Sequence, residues 1–554
     1  MNHEFWLLRR LRFCSSYILR LVFMIPLRQS GGVLVLSLTL AICSGCGSGE
    51  GTEGGSNPPA QTYTIGGTVS GLVSGTSLQL TFNTTHFITL TADGAFSFTG
   101  GIESGGTYDV WVSKQPVDPL QFCVASNGTG TALSDVTNIQ VVCNTPTEQD
   151  LYNFGQQPDG VNPIGTPVLD KQGNLYGVTK YGGANGQGTV FMLTPSNGQW
   201  TKTVIYTFCQ IAGCADGSEP NSGLIWDAAG NLYGTTSTGG AFGSGLAGGV
   251  VYKLSPSGIG TWTETVLHSF GNGTDGKVDS EATSGLVFDS SGNLYGTTTV
   301  GGTGGDCLGN GGCGTVFELS PNPDGTWTES ILYNFCSVTG TYNCYDGALP
   351  SGGVVLDAAG NLYGTTAEGG GTPNAGVGTV FELIRQPGNQ WTEKVLYIFQ
   401  PGADINYPDG GVIFDAAGNL YGTTRLSSAI GSGGGAVYEL SPGRGGQWQN
   451  TTLHSFNVWD GYKPSGPLAI DAQGNLYGTT DGGGTAGAGT VFALTQGVAN
   501  PQAAWVESTL YNFTYLYNGS GSISGLAIDV QGNLYGVGYV LGTEGNGMVF
   551  KVTP

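Results

Sequence analysis

The residues of this sequence best suited to chemistry are aspartates. Asp159, Asp216, Asp275, Asp346, Asp409 and Asp460 each precede a glycine and recur along the chain. Six carboxylates around one axis would offer oxygen ligands to a cation such as calcium, while the same Asp-Gly pairs taken singly are turn formers. A second set is aromatic. Tyr407, Trp459, Tyr462, Tyr515 and Tyr517 fall in three successive stretches, and rings gathered on one face would stack on sugars or on a protein partner. Nucleophilic catalysis has little to work with, because it needs a base, usually histidine, beside its serine or cysteine. The chain has 4 histidines. His3 and His86 lie outside the repeated region described below, and His268 and His454 stand where other copies of the repeat carry tyrosine, which reads as packing. No catalytic residue is therefore assigned.

The chain has 11 cysteines. Once Cys14, Cys43 and Cys46 are set aside with the N-terminal segment, the remainder falls into neighbouring pairs: Cys123 with Cys143, Cys209 with Cys214, Cys307 with Cys313, and Cys336 with Cys344. Short, even spacing points to local disulfides in an oxidising compartment. Zinc is the competing reading, but no histidine lies close to any pair. The 17 basic residues against 39 acidic ones give a formal charge of −22, which repels phosphate backbones and argues against nucleic acid as a partner.

Arg9, Arg10, Arg12, Arg20 and Arg28 precede the apolar run "GGVLVLSLTLAI" and then "CSGCGSGEG". A basic region, a short apolar core and small residues make an export signal, and the run is too short to span a bilayer. Ser44 and Gly45 before Cys46 resemble a bacterial lipoprotein cleavage box, although Cys43 stands where such boxes usually have an aliphatic residue. The resemblance implies a signal over residues 1–45, with Cys46 as the lipidated first residue, and Met24 is an alternative start to Met1. Residues 46–61 read as a flexible tether.

Positioning these groups falls to β-structure. With 100 glycines, 10% charged residues and no long stretch of helical spacing, the chain reads as many short strands joined by glycine turns. Residues 62–144 alternate apolar and polar positions and predict a small antiparallel sandwich, pinned by Cys123 and Cys143. It resembles the immunoglobulin-like domains of bacterial surface proteins. From 145 to 554 a repeat takes over. "GNLYGTT" begins at Gly230, Gly292, Gly360, Gly418 and Gly474, with looser copies at Gly173 and Gly532. Each copy follows an aspartate: Asp170, Asp227, Asp289, Asp357, Asp415, Asp471 and Asp529. Every unit reads as four strands, as in "GLIWD", "NLYGTTS", "GGVVYKLSP" and "WTETVLHSF". The final unit stops at "GMVFKVTP" and lacks the fourth strand, whereas an orphan, "PTEQDLYNF" at Pro146–Phe154, precedes the first. The expected fold is all-β, a seven-bladed β-propeller closed by an N-terminal strand.

The Asp-x-x-Gly-Asn turns fall on one side and the variable, disulfide-bearing loops on the other, where the candidate aspartates and aromatics also fall. Cys209, Cys214, Cys336 and Cys344 are expected in loops between units, and Cys307 and Cys313 in a loop from a second strand to a third. The Asp-x-x-Gly-Asn carboxylates supply one oxygen pair per turn, too few for calcium. Trp200, Trp262, Trp327, Trp391, Trp448 and Trp505 open fourth strands and are expected to pack at the blade periphery.

The motifs "DxxGNLYGTTxxGG", "GTVFELSP" and "LYxFxxxDGxxP" resemble the GloVer tandem-repeat family of bacterial surface proteins over roughly residues 150–554. That resemblance implies fold and location, not a reaction. The expectation is a lipid-anchored, non-catalytic protein of the outer membrane or cell surface. Its variable face would bind glycan or protein, with no obligate cofactor beyond possible calcium. The alternatives are an extracellular propeller enzyme, as a carbohydrate hydrolase, lyase or calcium-assisted lactonase, and a purely structural envelope protein.

Overall fold

The computed structural model describes residues 61–242, 248–258, 260–271, 275, 285–305, 307, 312–337, 339–340, 343–370, 377–400, 407–408, 410–425, 434–496, 505–514 and 524–554. The expected signal, Cys46 and nearly all of the tether lie outside these residues, as do Asp409, Tyr515 and Tyr517.

Residues 62–144 form two four-stranded sheets over one core. One sheet has the order Gly94–Ser97, Ile65–Ser70, Val136–Asn144, Phe122–Ser126; the other is His86–Leu90, Leu78–Phe82, Thr107–Lys114, Thr129–Thr131. Ile65, Leu78, Leu80, Ile139 and Val141 are fully buried between them. The expectation of a wholly antiparallel sandwich needs one correction, because Val136–Asn144 runs parallel to Ile65–Ser70. Apolar alternation reports which face of a strand is buried and carries no information on the direction of its neighbour. Cys123 and Cys143 stand directly opposite each other on adjacent strands and are bonded.

Among the described residues, those from 147 to 553 form seven antiparallel sheets of four strands or more, numbered I to VII in chain order, and one two-stranded hairpin, Thr339–Gly340 with Asn343–Cys344. Sheet I consists of Gly160–Leu169, Leu175–Gly182, Thr189–Ser196 and Gln199–Thr207. Sheets II to VI repeat this order, with the first position of sheet II broken into Ser218–Pro220 and Ile225–Trp226. Sheet VII joins Ala527–Ile528, Leu534–Gly538 and Met548–Thr553 to Thr147–Asn153, a strand from far upstream. Thr147 lies opposite Thr553 and Asn153 opposite Met548. The borrowed strand carries the same local irregularity as the others: a bulge at Leu151 matches those at Ile205 and Leu510, and all three side chains turn into the core.

The Asp-x-x-Gly-Asn turn is built from one carboxylate. Asp289 Oδ1 accepts from the backbone N–H groups of Ser291 (2.8 Å) and Asn293 (2.9 Å), while Oδ2 accepts from Asn293 Nδ2 (2.8 Å) and the Tyr295 hydroxyl (3.1 Å). The other six turns repeat this set around Asp170, Asp227, Asp357, Asp415, Asp471 and Asp529. Gly292 takes φ +86°, a left-handed position that favours glycine. The glycine of "LYG" makes room for a ring of its own sheet, not for the approach of a neighbouring one. A Cβ on Gly296 would strike the ring of Phe317, its own partner on the third strand, so the glycine seats an aromatic ring within the sheet.

Aromatic pairs join one sheet to the next. The last residue of each "LYxF" inserts against the third-strand ring of the following sheet, with centroids 4.8–5.3 Å apart, from Phe208 on Tyr252 through Phe513 on Phe550. Phe154 of sheet VII makes the same contact with Phe191 of sheet I at 5.2 Å. The six tryptophans reach back to the "LYG" tyrosine of the preceding sheet at 5.9–6.5 Å, as in Trp262 on Tyr176 and Trp200 on Tyr535. At the VI–VII junction the tryptophan position holds Pro146. There Phe122 of the sandwich meets Tyr477 edge-on at 6.4 Å.

Candidate functional site

The described candidate aspartates sit in the junctions between successive sheets. Each of the five described, Asp159, Asp216, Asp275, Asp346 and Asp460, is fastened to the "LYxF" tyrosine, or to its histidine replacement, on the fourth strand just before it. Tyr152 donates to Asp159 (2.9 Å), Tyr206 to Asp216 (2.9 Å) and Tyr333 to Asp346 (2.8 Å). His268 and His454 reach Asp275 and Asp460 at 3.2 Å. Loop N–H groups of Gly155, Gln210, Gly271, Ser337 and Asn457 complete the carboxylate shells. Among the described residues, no metal-competent group joins two of these aspartates; Asp275 and Asp460 occur in separate groups. The described aspartates are thus held singly, one at each junction.

The third member of each junction comes from the following sheet and was missed in the sequence. Two residues after the tryptophan, opposite the third strand's leucine, stand Glu264, Glu329, Glu393 and Glu507. Glu148 holds this position in the borrowed strand of sheet VII, Asn450 in sheet V and Lys202 in sheet I. The signal was there: a glutamate recurring in "WTE". Burial, then the charge of Asp216, pushes Glu264 up to about 7. Glu393 is pushed up to about 8 by burial and Asp346. Burial likewise brings Glu329 and Glu507 to about 7, with His268 and His454 pulling the other way. At the VII–I junction Lys202 pairs with Asp159, and burial draws its ammonium down to about 8.

A second device explains the "DGxxP" signature. The residue before the proline adopts a left-handed conformation at Asn162, Glu219, Leu349, Tyr407 and Lys463, with φ between +54° and +58°. Its N–H donates across the junction to the preceding sheet's loop, as Leu349 does to the Cys313 carbonyl and Tyr407 to that of Val377, both at 2.9 Å. Tyr407 is therefore a backbone clip, and its ring packs with the core of sheets IV and V. Tyr462 is half-buried over Gly482, with Lys463 Nζ 5.8 Å from its ring. Trp459 differs from both, at 78% exposure in the V–VI loop. An open groove of about 870 Å³ runs between the fourth strands of sheets I and II, lined by Val204, Tyr206, Ile211, Trp262 and Glu264.

All four expected cysteine pairs are disulfide-bonded: Cys123 to Cys143, Cys209 to Cys214, Cys307 to Cys313, and Cys336 to Cys344. Between the fourth strand of sheet I and the first of sheet II, Cys214 sits in a tightly turned loop. It closes a short 3-10 turn, Ala212–Cys214, and takes a left-handed φ of +55°. Its carbonyl then accepts from the N–H groups of Gly217 and Gly240, both at 2.9 Å, which ties the I–II loop to the end of the second strand of sheet II. The glycine at 213, itself left-handed, permits so tight a turn between the bonded cysteines. Cys307, Cys313, Cys336 and Cys344 bring their sulfurs within 4.8 Å of one another. Among the described residues no helix is long and apolar enough to cross a membrane.

No curated protein sequence matches the chain. Among solved structures it is similar to the extracellular domain of a candidate one-component system from B. thetaiotaomicron, with 12% identity and TM-score 0.41 over 73% of this chain and 40% of that one. The chain thus spans about two fifths of that domain's length. A luciferin-regenerating enzyme gives 13% identity and TM-score 0.35 over 74% of this chain and 95% of its own. A gluconolactonase from Xanthomonas campestris gives 13% and 0.32 over 74% and 89%. The Gloeobacter/Verrucomicrobia repeat model matches residues 124–308 and 350–554, which takes in all seven recurring turns and the junction aspartates except Asp346, and the chain belongs to that repeat family.

Proposed function

We infer that this is an exported, lipid-anchored surface protein. In this reading the seven sheets are the blades of a propeller closed by the strand Thr147–Asn153, and the sandwich is an immunoglobulin-like module between propeller and anchor. Its role is recognition of an extracellular glycan or surface protein by the loops joining fourth strands to first strands, without catalysis.

The observation that carries this reading is Trp459. It is the one large aromatic of the described candidate patch that the fold does not use, since Tyr407 and Tyr462 are engaged in the junctions. An indole left in water on a loop over a rigid scaffold is suited to stacking on a sugar ring or filling a partner's pocket. The four disulfides support an oxidising location.

A glycan array and a pull-down from surface extracts, each run with wild type and Trp459→Ala, test the reading. Binding should weaken at least tenfold in the variant, and equal binding removes this face from the account. Mass spectrometry of the mature N-terminus should find a lipid-modified Cys46; an unmodified end would remove the anchor.

A further inference from the structure

Two junctions hold an imidazole beside two carboxylates. At the II–III junction His268 Nε2 lies 3.2 Å from Asp275 Oδ2 and 3.7 Å from Glu329 Oε1. At the V–VI junction His454 Nε2 lies 3.2 Å from Asp460 Oδ2, and Glu507 adds an oxygen to the cluster. In each set the three ligand atoms fall within 4.8 Å of one another. Donors bound to one tetrahedral zinc ion at about 2.0–2.2 Å stand roughly 3.3–3.6 Å apart, so small side-chain movements would close either set around a metal.

The tyrosine junctions are an internal control. Burial pushes the phenols of Tyr206 and Tyr333 far above their ordinary pKa, so each keeps its proton and can only donate to its aspartate. A neutral imidazole in the same place presents a lone pair. The carboxylates of Asp216 and Glu264, or of Asp346 and Glu393, therefore lack a nitrogen ligand that the histidine junctions possess. Glu329 Oε1 is buried and has no hydrogen-bond partner, which leaves this oxygen free of competing donors. His268 and His454 remain 18% and 22% exposed, so an ion can enter and water can serve as a fourth ligand.

We propose that His268, Asp275 and Glu329, and separately His454, Asp460 and Glu507, each bind one divalent transition-metal ion of the zinc or cobalt class. One imidazole with two carboxylates suits such ions, whereas calcium requires six to eight oxygens. Each ion takes ligands from two successive sheets and fastens them together at a junction that in other repeats relies on a tyrosine hydroxyl.

The test uses untagged full-length protein, stripped of metal and titrated with Co²⁺ under non-reducing conditions. Two ions per chain should bind, with the visible absorption of a low-coordinate cobalt site. His268→Tyr and His454→Tyr should each remove one ion, and the double variant both; these are exchanges the repeat itself makes, so circular dichroism should show the fold retained. Tyr206→His, which sets an imidazole beside Asp216 and Glu264, should raise the count to three. Absence of saturable uptake, or uptake undiminished in the double variant, overturns the proposal. Uptake that appears only after reduction of the disulfides assigns the metal to the cysteines and overturns it equally. Loss of an ion in one single variant but not the other overturns the proposal for the unaffected junction.

Discussion

The two ends of each sheet use the same groups, an aspartate and a tyrosine, in different ways. In the Asp-x-x-Gly-Asn turn every partner lies within six residues, as from Asp289 to Tyr295. The turn is closed upon itself, and no member can change without leaving a donor or acceptor unmet. At the junction the aspartate and tyrosine come from one unit and the third group from the next. There the members vary: tyrosine becomes histidine, and glutamate becomes lysine or asparagine. Burial alone would raise the turn carboxylates, but hydrogen bonds from asparagine, backbone and tyrosine outweigh it and hold Asp227, Asp289 and Asp529 below the ordinary value. The junction glutamates are displaced upward by burial and a neighbouring charge. A motif completed within one loop stays fixed; a motif shared between sheets can acquire new chemistry.

The sharpest way to break this contrast is Lys202→Met, which leaves Asp159 partly buried without its cation. Removing one member of such a pair should cost about 3 kcal/mol, read by urea denaturation at pH 7; a loss below about 1 kcal/mol would mean that the junction charges are merely tolerated. Next in size, Asp289→Ala strips four hydrogen bonds from a turn and should cost about 2 kcal/mol, with little dependence on pH between 6 and 8.

The pH profile compares both ends at once. The turn aspartates, depressed when folded, contribute stability above their unfolded pKa that is lost as pH falls through their lower folded values. The junction glutamates, raised from 4.5 to about 7 or 8, contribute most below the unfolded value, and that contribution is lost as pH rises through the folded one. The melting temperature should therefore peak in acidic buffer near pH 4, between the ordinary aspartate and glutamate values of 3.8 and 4.5, and fall on both sides; a steady rise to pH 8 would contradict the junction assignment. The smallest effect expected is that of Glu393→Gln, which should stabilise by about 1 kcal/mol at pH 8, discounted for partial exposure, and by nothing measurable below the ordinary glutamate value of 4.5.

Much of the scaffold was legible. The orphan "PTEQDLYNF" could be aligned on its siblings without a gap, and the strand pairing it implied is present. The cysteine pairs were readable from spacing alone, and the turns because Asp, Gly and Asn have few other uses in such order. The junctions were not legible, for a geometric reason. From tyrosine or histidine to its aspartate the chain takes 7, 10, 7, 13 and 6 residues, so the pair drifts out of alignment. The glutamate lies one repeat further on, and aligned repeats show columns but not which columns meet across an interface. Tyr407 reads as a surface ring in the sequence because its proline neighbour gives no hint of a left-handed clip.

Phe122 lies where a seventh tryptophan would lie, and its edge-on angle to Tyr477 equals that of Trp200 to Tyr535, 67° in both. The front module is thus wedged into the flank of the repeat array. Cutting the gene at residue 145 would keep every repeat and still leave Tyr477 with a bare flank, so the practical border of the array lies upstream of its first repeat. Exchange of front modules between such proteins is constrained accordingly: a newcomer must bring its own ring to this slot, or Pro146 must give way to an indole.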